Sequence, residues 1–203
     1  MISSVILLRV FKNGSSPLID VGACTIPDYE NWFVLSDIGF SLSDYTEGST
    51  SSSNNPVDGQ PAKDISPASP QSLSVTKAVD QSTVYLMQQA AQDRSTTEDA
   101  IADRKAKIIF LENRTSETKN NDVDRLYPTV QFYLGSVKIE NWSVDASASS
   151  QPTEKFALSF KQFSMVYTGQ PAGTSGTKTY GPKSWDETTR KDWSDGSGSW
   201  YVK

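Results

Sequence analysis

Histidine is absent from the 203 residues of this chain. That gap removes the commonest general base and the commonest metal ligand, and with them every Ser-His-Asp or Cys-His arrangement. Cysteine occurs once, as Cys24. One thiol excludes an internal disulfide framework and a cysteine-built zinc site, and it reads as a small apolar packing residue. A surplus of positive charge is also missing, since 19 Lys and Arg face 24 Asp and Glu for a net charge of −5. Phosphate backbones need a clustered cationic face, so nucleic acid is not an expected partner. No apolar run reaches bilayer length, and membrane insertion is not expected either. Phosphate-loop, G-x-S-x-G, H-E-x-x-H and EF-hand spacings are lacking as well. The carboxylate pairs that do occur (Glu98-Asp99, Asp122/Asp124, Asp186-Glu187) sit in polar contexts with nothing to shift their acidity. The expectation is no enzyme, no cofactor and no metal.

What is present is alternation. The length fits one domain, expected over 1–203, large enough to bury a core without staples. Its organising stretch is Tyr127–Tyr167, which reads as one long hairpin: YPTVQFYLGSVKIENWSVDA, a Ser-rich turn, then EKFALSFKQFSMVY. Val130, Phe132 and Leu134 alternate with Thr129, Gln131 and Tyr133, as in a strand with one buried face. The phase slips at Gly135-Ser136, returns before Trp142, and slips again at Lys161-Gln162. Such slips mark bulges, and bulges bend strands enough to wrap a small barrel. A flat sandwich hairpin with accidental slips is the alternative.

Along the rest of the chain, Ile2–Phe11 is mostly continuous apolar, fitting a strand buried on both faces or at a subunit contact. It lacks a basic n-region, Arg9 interrupts it and no small-residue cleavage site follows, so it reads as a strand and not a signal peptide. Trp32–Ser43 reads as one strand with Phe33, Leu35 and Asp37 on one face and Val34, Ile38, Phe40 and Leu42 on the other. Asp37 is the odd acid there, and a solvated outward position is its simplest account, since an unpaired buried carboxylate is costly. Asp44–Gln71, with Ser49–Ser53 and Pro56, Pro61, Pro67 and Pro70, predicts a long extended loop, either disordered or ordered on assembly. Leu73–Val79 is a short strand. Asp80-Gln81-Ser82 supplies capping oxygens for a helix over Thr83–Gln92. The recurrence of Thr83, Leu86, Ala90 and Ala91 gives that helix a small apolar face to cap an open end of the barrel. Ser95–Glu98 has capping-box spacing for a second short helix over Thr96–Asp103. Lys105–Asn113 is a strand, and Thr177–Tyr180 a last short one. The tail over 182–203, with Trp185, Trp193 and Trp200, reads as frayed unless an aromatic docks.

The run LSVTKAVDQSTVYLMQQA (Leu73–Ala90) resembles the strand-to-helix signature of Hcp, the haemolysin-coregulated tube protein of type VI secretion systems, related to phage tail-tube proteins. Lys77, Asp80, Ser82 and Thr83 occupy the motif's places, with Val84 where a proline is frequent. TEKFALSFKQFSMVY resembles the family's second long strand, with Glu154 before the alternation and Tyr167 at its end. TYGPKSWDETTR resembles its closing segment through Gly181 and Trp185, with Pro182–Ser184 inserted between them. The resemblance implies a mainly β (α+β) fold, a small bent barrel of two antiparallel sheets with one flanking helix and a long loop over 44–71. It implies hexameric rings that stack into an ejected tube and carry small effector proteins in the lumen. Sheath, spike and baseplate proteins are the implied partners besides the chain itself. Asp37 matches a lumen-facing strand position, a role as compatible with exposure as the solvated reading. The expected location is the bacterial cytoplasm during assembly, then the outside, without a cleavable signal. Two alternatives stand beside this: the tail tube of a phage-like contractile particle, and a carbohydrate-binding β-domain using Trp142, Trp185, Trp193 and Trp200 as stacking platforms.

Overall fold

The computed structural model of the chain describes residues 4–13, 16–40, 71–114, 125–169, 176–189 and 191–193. The expected loop over 44–71 lies outside them except for Gln71, which already opens a strand. Eleven strands and two helices are present among the described residues: β1 (Ser4–Asn13), β2 (Ser16–Pro17), β3 (Phe33–Leu35), β4 (Asp37–Phe40), β5 (Gln71–Ala78), α1 (Thr83–Asp93), α2 (Glu98–Ile101), β6 (Lys105–Arg114), β7 (Arg125–Gly135), β8 (Lys138–Ser147), β9 (Ser150–Phe160), β10 (Gln162–Gly169) and β11 (Lys178–Asp186). They form two antiparallel sheets. The larger runs β11-β10-β7-β6-β1-β2, with β3 also on β1; the smaller runs β4-β5-β9-β8.

The long hairpin is there, and its phase slips are its corners. β7 pairs with β10 in the larger sheet up to Gly135 opposite Gln162. β8 pairs with β9 in the smaller one from Lys138 opposite Ser159. Each arm therefore leaves one sheet and enters the other within three residues. Changing sheets at a bend lets the apolar side chains of both halves keep facing one core, which is why the alternation must slip there. Ser136 takes a positive φ of 55° at this corner. The return of phase before Trp142 is a bulge between Glu140 and Ser143, with Asn141 at φ 54°. Two bent sheets and a flanking helix agree with the expected architecture, but the sheets are not closed into a barrel: no ladder joins them among the described residues.

Trp32–Ser43 corrects the expectation of a single strand. It breaks at Ser36 into β3, on β1, and β4, on β5. The same corner logic then turns Phe33, Leu35, Ile38 and Phe40 onto one core instead of two faces. Leu42 lies outside the described residues.

That core fills the space between the sheets. Leu8, Ile108 and Leu134 meet Leu73, Phe156 and Leu158, with Leu86 and Ala90 of α1 entering from the side. Phe40 stacks on Phe132 at 5.5 Å and on Phe160 at 5.9 Å. Each such buried side chain is worth about 1.5–3 kcal/mol of transfer free energy. A second cluster lies on the outer face of the larger sheet, where Cys24, Ile26, Tyr29 and Trp32 lie over Leu7, Ile109 and Leu111. β1 is thus buried on both faces, as its mostly apolar run predicts. Cys24 packs there as a small apolar residue, and burial pushes its thiol pKa up. β7 is likewise covered twice: Tyr133 and Thr129, expected on a wet face, are 2% and 3% exposed.

Candidate functional site

The strand-to-helix motif assembles one buried polar cluster. Lys77 and Glu154 stand opposite each other on β5 and β9, both pointing inward and both fully buried. The Lys77 ammonium donates to Glu154 Oε1 at 2.6 Å and to the Ala78 carbonyl at 2.9 Å, and lies 2.9 Å from Asp80 Oδ1. Three donors meet three acceptors. Glu154 accepts also from Thr83 Oγ1 at 2.8 Å and, through Oε2, from Trp142 Nε1 at 2.8 Å. Desolvating an ion pair costs several kcal/mol per ion, a cost offset only where every remaining valence is satisfied, as here. Asp80 Oδ1 further accepts from the amide and hydroxyl of Ser82, at 2.7 and 2.6 Å. Burial alone pushes the Asp80 carboxyl up, but the bonds from Ser82 and Lys77 and the Lys77 charge outweigh it and hold its pKa below the usual range.

The cluster starts α1. Ser82 is the N-cap residue without making a side-chain cap bond; Asp80 folds the entry turn, and Thr83 Oγ1 accepts from the Asp80 amide at 3.0 Å. The expected helix over Thr83–Gln92 extends to Asp93. Its buried stripe is Leu86, Ala90 and Asp93, while Met87 and Ala91 face outward, and it packs against β8 at the side of the smaller sheet. The expected capping box does not form. Ser95 and Thr96 hydroxyls donate back to the Gln92 carbonyl, and Glu98 pairs instead with Lys161. α2 spans only Glu98–Ile101.

A second buried cluster escaped the sequence reading. Asp93, fully buried, accepts from Arg104 at 2.7 Å, from Gln89 at 2.8 Å and from the Ile139 amide at 2.9 Å. It ties the end of α1 to the corner before β8. The available signal was its place on the 86/90/93 stripe, a carboxylate where an apolar residue is due.

The remaining predicted residues sit apart from these clusters. Tyr167 pairs with Tyr180 across β10 and β11, and Trp185 with Phe163. Gly181 takes φ +96°, and a Cβ there would come within 2.7 Å of the Met165 carbonyl oxygen. β11 runs through Asp186, so Pro182–Asp186 is strand and not tail, and the last strand is longer than expected. Asp186 is buried and its carboxylate accepts from Thr188 N, Thr189 N and Gln162, turning the chain back. Glu187 lies beyond it, its pKa raised by burial despite the nearby Lys161 charge. The Trp193 carbonyl accepts from Ser184. For the carbohydrate reading, Trp142 is lost as a platform: it is half-buried, bonded to Glu154 and packed on the core.

Asp37 is exposed on β4, opposite Thr76. The register places Gly39, Ser74, Thr76, Lys155 and Ala157 on the same outward face. That whole face of the smaller sheet carries small or polar side chains only.

A family profile described as "Type VI secretion system effector, Hcp" matches residues 12–167, more than half of the chain. The chain belongs to the Hcp family of type VI secretion proteins. Solved structures agree on the fold. One titled as the structure of a type six secretion system protein shares 17% identity with a TM-score of 0.61, covering 92% of this chain and 98% of its own. Hcp1 from Salmonella typhimurium shares 13% identity with a TM-score of 0.56, covering 95% and 100%. A type VI secretion system effector from Yersinia pestis shares 9% with a TM-score of 0.51, covering 89% and 98%. No curated protein sequence matches. An Hcp-family chain is a type VI secretion tube protein, and this family is not one of enzymes.

Proposed function

We propose that this Hcp-family chain acts as a single domain that assembles into hexameric rings, that the rings stack into the inner tube of a type VI system, and that the tube carries small effector proteins. The chain is synthesised in the bacterial cytoplasm and leaves with the tube. Sheath, spike and baseplate proteins are its partners in that assembly. The observation that supports this best is the outward face of the smaller sheet. A conduit wall must stay wet and smooth while cargo passes, and a sheet face of Asp37, Ser74, Thr76 and Lys155 with no large apolar side chain meets that need. Asp37 is then a lumen contact, while Lys77, Asp80, Ser82, Thr83 and Glu154 hold the wall to its helix.

Multi-angle light scattering of the purified chain is expected to give about six copies per particle, a closed head-to-tail ring; a clean monomer at high concentration would sink the reading. Asp37→Arg is expected to leave ring size unchanged and to alter co-purification of effectors. If every effector is retained as before, Asp37 is no lumen contact.

A further inference from the structure

Lys107 is a half-buried lysine without an acid. It lies on the outer face of the larger sheet, in β6, directly opposite Arg9 on β1 and Tyr133 on β7. Arg9 is satisfied, since its guanidinium holds Asp20 and the Glu30 carbonyl. Lys77, Lys138, Lys155 and Lys161 each hold a carboxylate as well. Lys107 holds none among the described residues, and its ammonium lies instead 5.2 Å from the centre of the Tyr133 ring.

A lysine of this kind usually lays its stem on apolar surface and holds its charged head out in water. Here the head itself is laid down on the sheet, because the ring beneath it belongs to a tyrosine only 2% exposed. The surroundings offer no compensating anion. Lys105 and Ile109 flank Lys107 on its own strand, the Tyr133 hydroxyl donates to Gln131, and Asp20 is taken by Arg9. A cation drawn away from water with no anion beside it is disfavoured against the neutral amine, and the ring face returns only part of that cost. Burial accordingly pulls the Lys107 pKa down. Lys155 is poised the other way, its bond to Asp145 pushing its pKa up.

We propose that Lys107, laid over Tyr133 and opposite Arg9, is a nucleophilic amine and a site of covalent acylation by small acyl phosphates. A lysine desolvated beside another cationic group is one of the ways a protein activates this side chain. The amine lone pair attacks the acyl carbonyl carbon and a C–N bond forms. The C–O bond to phosphate breaks, phosphate leaves with the bonding electrons, and the proton displaced from nitrogen passes to water. The product is a neutral amide. No ion pair is lost in making it, whereas acylation of Lys77, Lys138, Lys155 or Lys161 breaks one. The inference stands apart from the ring reading.

The test is acetyl phosphate on the folded full chain, with peptide mass spectrometry following each lysine as pH is varied. Lys178 is the reference, since its ammonium also sits over a ring, 5.1 Å from the centre of Tyr180, but on an exposed strand. Near neutral pH Lys107 is expected to be acetylated roughly threefold or more faster than Lys178, because a lowered pKa leaves a larger neutral fraction. The ratio is expected to fall toward one at about pH 11, where ordinary lysines are neutral too. In urea the two are expected to react alike at every pH. Lys107 no faster than Lys178 in the folded chain, or labelled only in urea, overturns the proposal. So does an advantage that survives in urea, which would belong to the local sequence and not to the fold.

Discussion

Glu154 shows how far one residue can be argued. It stands inside an otherwise apolar face, between Thr153 and Phe156, and touches three elements at once: β5 through Lys77, α1 through Thr83 and β8 through Trp142. Replacing it by glutamine keeps the shape and removes the charge, which leaves the Lys77 ammonium buried beside Asp80 alone. Breaking one side of a buried pair costs about 3–5 kcal/mol. Glu154→Gln is therefore expected to lower the urea-unfolding free energy by about that much, and Lys77→Met/Glu154→Leu to lose less than the two single changes summed. A loss under about 1 kcal/mol would mean the pair is not what holds α1 to the sheet. The family motif was legible in sequence because its residues cluster within seven positions. Asp93 was not, since its partners Arg104 and Ile139 are distant in the chain and only the folded corner unites them.

At the scale of elements, the informative signals were breaks in pattern. The slips at Gly135-Ser136 and Lys161-Gln162 correctly placed the bends of the long hairpin, though they mark a change of sheet and not the wrapping of a closed barrel. The same slip exists between Leu35 and Ile38, but β3 is only three residues long, too short to set a phase, and it passed for two faces of one strand. β11 was underestimated for the opposite reason. Gly181-Pro182 reads as a stop, whereas the strand continues through it because the register with β10 shifts between Met165 and Tyr167 and absorbs the irregularity. Gly181 makes that shift possible at φ +96°. An alanine there carries about 1–2 kcal/mol of backbone strain before its Cβ meets the Met165 oxygen. Gly181→Ala is expected to lower the melting temperature and to displace Tyr180 from Tyr167, seen as a changed near-UV circular dichroism signal. An unaltered melting curve would show that β11 tolerates the substitution without its bulge.

For the whole molecule, the decisive property is that the parts facing outward differ in kind: a polar sheet face with Asp37, an uncharged helix side and an aromatic strand platform. The segment between Phe40 and Gln71 lies outside the described residues, yet its anchors are clear. Phe40 on β4 pairs with Leu73 on β5, so the chain leaves and re-enters on neighbouring antiparallel strands. Antiparallel neighbours lie about 5 Å apart, a gap that a turn of about two residues spans. The pairing of β4 with β5 thus does not require the segment's length, and on the ring proposal a Pro- and Ser-rich stretch of this kind suits a contact arm toward another ring. Replacing Ser49–Ser69 by a short Gly-Ser linker is expected to leave ring size by light scattering and the melting temperature nearly unchanged, while electron microscopy shows tubes lost or shortened. Unfolding of the subunit would mean the segment packs into the core, and full-length tubes would mean that the rings stack through some other surface.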